Sequence, residues 1–245
     1  MKMKLAVQLY TLRDLIHSGG DLINILKDVK AIGFDGVEFA GYQDLDAETL
    51  KKALDDAGLV AVGTHMGLEN YDEEHLDATL KYGKTLGLTK MGMGGADVFT
   101  REGLDHFKKI IGPAAKKAEK EGVKIYYHNH DREFAPVDEN SDKLIIDEVA
   151  EVCSLQIDTY WSFYAGVDNH KFLTEHKDSI VHIHIKDGLD GHPKALTEGN
   201  CDLDTVVKTA KEIGLEWVIL ENDEPTPDGL SDIKRSMEFL KANFR

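Results

Sequence analysis

Short apolar runs recur along the chain, several alternating strictly with polar residues, and longer stretches of helical periodicity separate them. Strands are predicted at Leu5–Tyr10, Gly36–Ala40, Leu59–His65, Lys90–Gly94, Val123–His130, Ser154–Asp158, Ile180–Lys186 and Trp217–Glu221. Between them, Leu22, Ile23, Ile25, Leu26 and Val29 recur at helical spacing, and Ala47–Ala57 and Leu104–Glu121 repeat the pattern. Gly112-Pro113 is a place where the last of these helices could kink or restart. Gly33, Gly58, Gly87, Gly122 and Gly214 each follow a helical run and shortly precede a strand, as expected of the glycine that ends a helix at positive φ.

Strand and helix alternating eight times predict an α/β fold, a (β/α)8 TIM barrel forming one domain over residues 1–245. An open doubly wound sheet would need a glycine-rich turn after its first strand, and Tyr10-Thr11-Leu12-Arg13-Asp14 is not one. Parity within the strands adds a second layer. Gln8 and Tyr10 share one face, Ala61, Gly63 and His65 another, then Tyr126, His128 and His130, then Gln156 and Asp158, then His182, His184 and Lys186. Glu38 and Glu221 fall on the inward parity of strands two and eight. These polar groups gather toward the C-terminal strand ends, which in a barrel meet at the face that carries active sites.

Composition narrows the function. The 245 residues contain 29 Lys plus Arg and 45 Asp plus Glu, a formal net charge of −16. So acidic a chain repels a nucleic-acid backbone. No apolar run approaches a membrane span, and Leu5–Tyr10 is too short for the core of a signal peptide. Cys153 and Cys201 are the two cysteines, with no CxxC pair, which disfavours a disulfide framework and a thiolate zinc site. A cytoplasmic enzyme of small molecules is expected, with no nucleic-acid or membrane partner and with a homo-oligomer compatible.

The strongest constellation is His128, Asp158, His184 and Glu221, one from each of four adjacent strand ends. Imidazole and carboxylate donors together suit Mn²⁺, Co²⁺, Fe²⁺ or Zn²⁺ better than Ca²⁺. Glu38, His65, His130, His182 and Lys186 form a second ring. An imidazole at His130 is placed to act as acid or base, or to orient a ligand. Lys186 is placed to neutralise a substrate oxygen or to pair with Asp187 or Glu221, and His182, deeper in its strand, to pack in the core. His75, His106, His170 and His176 read as surface. Met91-Gly92-Met93-Gly94-Gly95 lacks the Lys-Ser/Thr ending of a phosphate loop. Gly188–Gly199 is read as a long loop, placed to act as a lid or a subunit contact.

Six motifs in order carry a resemblance: Gln8-Leu9-Tyr10-Thr11-Leu12-Arg13-Asp14, Gly36-Val37-Glu38-Phe39-Ala40-Gly41, Tyr127-His128-Asn129-His130-Asp131-Arg132-Glu133-Phe134, Asp158-Thr159-Tyr160-Trp161, His182-Ile183-His184-Ile185-Lys186-Asp187 and Glu221-Asn222-Asp223. Over essentially the whole chain they resemble the xylose isomerase-like (β/α)8 superfamily, in its sugar phosphate isomerase/epimerase branch. The resemblance implies one divalent metal ion, Mn²⁺ foremost with Co²⁺, Zn²⁺, Fe²⁺ and Mg²⁺ as the others. It implies metal ligands from strands five to eight, and Asp158, His184 and Glu221 fall on them. The strand-five position departs, with His128-Asn129-His130 where a glutamate-containing run is usual. His128 is either the fourth ligand or a bystander whose place Glu133 or water takes. In epimerases of this family two metal-bound glutamates exchange protons with the substrate from opposite sides. Only Glu221 remains, paired with His130 or His128. Catalytic roles are thus expected for Glu221, His130 and Lys186, and substrate contacts for Gln8, Glu38, His65 and Trp161.

The activity so implied is a metal-dependent sugar isomerase or epimerase that abstracts a proton beside a carbonyl through an enediolate. A lyase or dehydratase acting on a keto-sugar or 3-keto-glycoside starts from the same enediolate and is the alternative. An abasic-site endonuclease and a non-catalytic sugar-binding protein are the remaining readings.

Overall fold

β1 (Lys4–Gln8) is the first of eight parallel strands that close on themselves. The others are β2 (Gly36–Ala40), β3 (Val60–His65), β4 (Lys90–Met93), β5 (Lys124–His128), β6 (Ser154–Asp158), β7 (Ile180–Ile185) and β10 (Trp217–Leu220). They stand in chain order around the ring, with β10 pairing back onto β1 through Lys4–Trp217 to Val7–Leu220. The computed structural model describes residues 2–245. The helices packed outside are α1 (Gly19–Ile32), α2 (Ala47–Ala57), α3 (Leu76–Leu86), α4 (Arg101–Lys120), α5 (Ile145–Ala150), α6 (Thr159–Tyr164), α7 (Asn169–Glu175), α8 (Leu203–Glu212) and α9 (Gly229–Phe244). Among the described residues no helix is long and apolar enough to cross a membrane. The barrel expected from the sequence is therefore the observed fold, and the open sheet is excluded.

Local chemistry explains the boundaries. Ser18 starts α1 by accepting from the Asp21 amide, while the Asp21 carboxylate accepts from the Ser18 hydroxyl and the His17 amide. Asp46 starts α2 by accepting from the Thr49 amide, and Gly58 ends it at φ 68°, where a side chain would be strained. α4 runs unbroken through Pro113, so the restart considered above does not occur. The first strand ends at Gln8 rather than Tyr10. The Gln8 side chain accepts from the Tyr10 amide and turns the chain into a 3-10 segment, Leu9–Leu15. The segment after β7 is also more ordered than expected. It folds into a hairpin of β8 (Asp187–Leu189) and β9 (His192–Lys194), and the Asp187 carboxylate fixes it by accepting from the amides of Gly188, Thr197, Gly199 and Cys201.

One parity needs correction. Between β2 and β3 the register slips, pairing Val37 with Ala61 but Glu38 with Gly63. The extra residue is Val62, a bulge. Ala61 therefore joins the outer core, Val62 packs inside the barrel with Ala6, Trp217 and Ile219, and Gly63 and His65 still face inward. A strict two-residue alternation cannot foresee a bulge.

Outside the barrel mouth, α4 and α5 are tied by charge. Glu148 accepts a two-pronged bond from Arg101 (2.9 and 3.0 Å) and another from Lys108 (2.7 Å), with its side chain only 9% exposed. The Arg101 bonds lead the effect that draws its carboxyl down to about 2, against burial. A depressed carboxylate stabilises the fold above its ordinary value near 4.5 and loses that contribution as pH falls toward 2. Glu148→Gln is expected to cost about 2 kcal/mol near neutral pH, the scale of hydrogen bonds to charged groups. In urea unfolding followed against pH, the gap between variant and parent should begin to narrow below about pH 4.5 and close as pH falls through about 2. A gap that is undiminished at pH 2.5 contradicts the assignment.

Candidate functional site

The polar side chains at the C-terminal strand ends are built up in layers. The lowest rests on Glu38, fully buried at the middle of β2. Its Oε2 accepts from Gln8 Nε2 at 2.9 Å and faces His184 Nε2 at 2.5 Å. Its Oε1 accepts from Gln156 Nε2 at 2.7 Å and from the Tyr126 hydroxyl. Gly63 makes this possible, since a Cβ there would stand 2.5 Å from the Tyr126 oxygen and 2.6 Å from Glu38 Oε1. Burial works to raise the Glu38 carboxyl, but the neighbouring His65 and His184 more than offset it and keep it ionised. His182 lies in the same buried interior, and burial, with Lys90 nearby, lowers it to about 3, so it is neutral.

The next layer is His184, held between two carboxylates. Nε2 faces Glu38 and Nδ1 faces Glu221 Oε2 at 2.9 Å. Burial would lower its pKa, yet Glu221 and Glu38 raise it to about 10. Above it, the Lys186 ammonium lies fully buried, 2.7 Å from each of Asp158 Oδ2, Glu221 Oε2 and Asp223 Oδ2. Burial disfavours that charge, and the three carboxylates outweigh it. Of the two partners expected for Lys186, Glu221 is one, while Asp187 has turned to its own loop. Burial likewise works to raise Glu221, but Lys186 and His184 hold it well below the usual carboxylate range.

His128, Asp158, His184 and Glu221 are all buried and each presents a donor atom within 4.8 Å of the others. Two observations test whether this set fits a cation. The 2.9 Å between His184 Nδ1 and Glu221 Oε2 matches the roughly 3 Å between neighbouring donors on an octahedral ion bonded at about 2.1 Å. A buried polar atom is also left over. His128 Nδ1 has no hydrogen-bond partner, whereas Asp158 Oδ2 has the Lys186 ammonium 2.7 Å away. Burial, reinforced by His184, drops His128 well below its ordinary pKa, leaving a neutral imidazole with a lone pair to give. A divalent ion fits, with Glu38 behind His184 as the carboxylate that orients a ligating histidine. Asp158 is itself oriented, its Oδ1 accepting from the amides of Tyr160 and Trp161 at the start of α6.

Over this cluster opens a pocket of about 650 Å³ lined by Tyr10, Ala40, Gly41, His65, Met66, Gly67, Gly94, His128, His130, Glu221 and Asp223. The sequence-derived residues thus divide. His65, His128, His130 and Glu221 reach the pocket. Gln8 and Glu38, expected against substrate, lie beneath its floor, fully buried and saturated with partners. Lys186 and Asp158 are also sealed below. Trp161 stands beside the pocket, its ring 5.7 Å from the Lys186 ammonium and 6.1 Å from the His130 ring. Glu133 is not part of the cluster: its Oε1 accepts from Tyr127 and its Oε2 from the His130 amide, so it anchors the turn that carries His130. His130 follows the end of β5 rather than belonging to it. Sequence reasoning missed Asp223, whose signal was its place two residues beyond Glu221, and Tyr126 and Gln156, both on the inward parity.

Known proteins share the barrel. The inosose dehydratase of Bacillus licheniformis is 27% identical over 214 residues, which span 76% of this chain and 69% of that protein. A sugar phosphate isomerase/epimerase from Parabacteroides distasonis superposes with a TM-score of 0.83 at 19% identity, covering 99% of this chain and 97% of its own. A probable 3-DHS dehydratase from Bacillus anthracis gives 0.73 at 15% identity, covering 98% and 99%. At such identities the two structures share the fold and nothing finer. The family model described as the xylose isomerase-like TIM barrel matches residues 26–243, which takes in seven of the eight barrel strands and every donor of the cluster; the chain belongs to that family.

Proposed function

We propose that the protein is a metal-dependent enzyme that removes a proton beside the carbonyl of a small polyhydroxylated compound and expels the neighbouring hydroxyl as water. One observation carries this reading. The two carboxylates that line the pocket, Glu221 and Asp223, both follow the end of β10, and an imidazole stands at the strand-five position. Inversion by two carboxylates facing each other across a substrate has no such pair here. Elimination asks for one base and one acid, and the pocket offers a carboxylate wall and imidazoles. The dehydratase name of the Bacillus licheniformis relative supports the same choice.

His128, Asp158, His184 and Glu221 would hold the ion. When bound, it supplies Lewis-acid polarisation of the substrate carbonyl. The remaining chemistry belongs to the side chains. Glu221 Oε2 is turned to Lys186 and toward the place the ion would take, which leaves Oε1 to take the proton. The electron pair of the broken C–H bond forms the new C=C bond, and the C–O bond to the β-hydroxyl breaks. His130 gives that hydroxide a proton so that it leaves as water. Lys186 does not reach the pocket and acts as a positioning residue that keeps Glu221 ionised and oriented.

Isomerisation or epimerisation is the second reading, and the ring order favours it at one point. β4 lies diametrically across the barrel from β10; His65 ends β3 on one side of it, and His130 follows the end of β5 on the other. Either imidazole is placed to return a proton far from Glu221. A pocket of carboxylates and imidazoles gives a DNA backbone no binding charge, which weighs against an endonuclease.

Adding Mn²⁺, Co²⁺ or Zn²⁺ at a hundredfold excess over Kd should stabilise the protein by about 2.7 kcal/mol, read as a rise in Tm that chelation reverses. Asp158→Ala and His184→Ala should abolish the rise, and Glu38→Gln should weaken affinity about 10- to 100-fold through His184. No shift with any of the three ions refutes the metal site, and an unchanged affinity in His128→Ala removes that residue from the ligand set. Glu221→Gln should keep the fold and lower turnover about 10²- to 10⁴-fold, with substrate exchange in D₂O falling in parallel. If turnover stops while exchange continues, Glu221 acts after proton abstraction and His130 is the base. If both persist, the mechanism is wrong.

A further inference from the structure

Resting on the reading above, we propose that Asp232, acting through Asn222, is a positioning residue that aims the two pocket carboxylates, Glu221 and Asp223. Neither carboxylate belongs to the barrel strand that precedes it. β10 ends at Leu220, and beyond it the Glu221 amide reaches the Ile185 carbonyl at a long 3.4 Å. The residue that fixes this segment is Asn222, buried between the two acids. Its amide donates to Thr11 Oγ1 (2.9 Å), its Oδ1 accepts from the Glu224 amide (2.8 Å), and its Nδ2 donates to Asp232 Oδ2 (2.9 Å). Asp232 stands in the first turn of α9, a helix whose Ile233, Met237, Leu240 and Phe244 are buried in the core. Asn222 is thereby tied to the segment after β1, to its own loop and to a rigid helix at once.

Helix formation does not account for Asp232. α9 is already capped by Asp228, which accepts from the Ser231 amide at 2.8 Å. Asp232 is fully buried instead, and it does not line the pocket. Its Oδ1 has no hydrogen-bond partner. Its Oδ2 otherwise meets the Thr226 amide at 3.4 Å and the Arg235 guanidinium at 3.6 Å, and Arg235 is itself held at 2.7 Å by Glu198. Burial pushes the Asp232 carboxyl up. A buried acid with an orphaned oxygen costs the fold more than an apolar side chain of that size, so the acceptor it offers Asn222 is what its presence supplies. Glu221 and Asp223 line the pocket while the Asn222 side chain between them turns to α9. Holding the middle residue therefore sets the direction of both neighbours. Glu221 has to present Oε1 to the substrate, and Asp223 has to keep its 2.7 Å bond to Lys186. A displacement of about 1 Å at a reacting group can cost about 100-fold in rate.

Two substitutions separate the acceptor from the charge. Asp232→Leu removes both, whereas Asp232→Asn keeps an oxygen for Asn222 and puts its amide nitrogen where Oδ1 has no partner. In calorimetric titration with Mn²⁺, Asp232→Leu should bind about tenfold more weakly than the parent. With D-fructose and a ketoinositol as probes, its kcat for deuterium exchange from D₂O should fall at least about tenfold while KM stays nearly unchanged. Asp232→Asn should stay near the parent in both. Asn222→Asp sets two carboxylates against each other and should show the losses of Asp232→Leu. Adding Asp232→Asn to it re-forms the bond with donor and acceptor exchanged and should recover them. This exchange decides the question if Asp232→Leu does not fold, and the Mn²⁺ titration decides it if neither probe exchanges. A lowered Tm with affinity and kcat at parent values makes Asp232 a packing residue and overturns the inference. Equal losses in Asp232→Leu and Asp232→Asn, or a double variant no better than Asn222→Asp, overturn it as well, and all three outcomes leave the proton-abstraction reading standing. A parent that neither binds Mn²⁺ nor exchanges a probe refutes that reading and this inference with it.

Discussion

A buried ammonium surrounded by three carboxylates organises this end of the barrel. Lys186 has no access to water and sits 2.7 Å from Asp158, Glu221 and Asp223. Burying any one of these charges alone would be prohibitive, and removing one partner leaves the others uncompensated. The strands that carry them therefore have to meet in one register. β6 and β7 align Asp158 with His184, β7 and β10 align His184 with Ile219, and Glu221 follows one residue beyond the end of β10. Mutual neutralisation thus holds the mouth of the barrel together and gives Glu221 its orientation.

Below that group runs a polar chain across the interior, from Gln8 through Glu38 to Tyr126, Gln156 and His184. A barrel centre filled by aliphatic side chains would be simpler. Here Glu38 takes bonds from residues on β1, β5, β6 and β7, so one carboxylate registers half the barrel. The same carboxylate determines which nitrogen of His184 is free to face Glu221. Fold and chemistry are joined at that residue: what locks the strands also sets the imidazole that the site requires.

The pocket inherits its character from these buried groups. Its lining brings the carboxylates of Glu221 and Asp223 together with the imidazoles of His65, His128 and His130. Glu133 extends the principle outward, since its bonds to Tyr127 and to the His130 amide fix the turn on which His130 rides. A glutamate in that motif reads in one dimension as a ligand candidate. In three dimensions it is a bracket.

Periodicity alone determined the eight strands, their order and the convergence of His128, Asp158, His184 and Glu221, because barrel strands alternate every two residues and their C-terminal ends share one face. Where the alternation is unbroken, as in β6, the boundaries match to the residue. Tertiary structure decided the rest. The bulge at Val62 moved Ala61 outward, because register depends on the partner strand and not on the strand itself. Depth within the barrel separated Gln8 and Glu38, sealed under the floor, from His65 and His130, open to the pocket, although Gln8, Glu38 and His65 alike had been expected to contact substrate and His130 to act on it. Parity tells which way a side chain points and not how far along the axis it sits. That second coordinate comes only from strand stagger and from the hydrogen bonds each buried polar group must find.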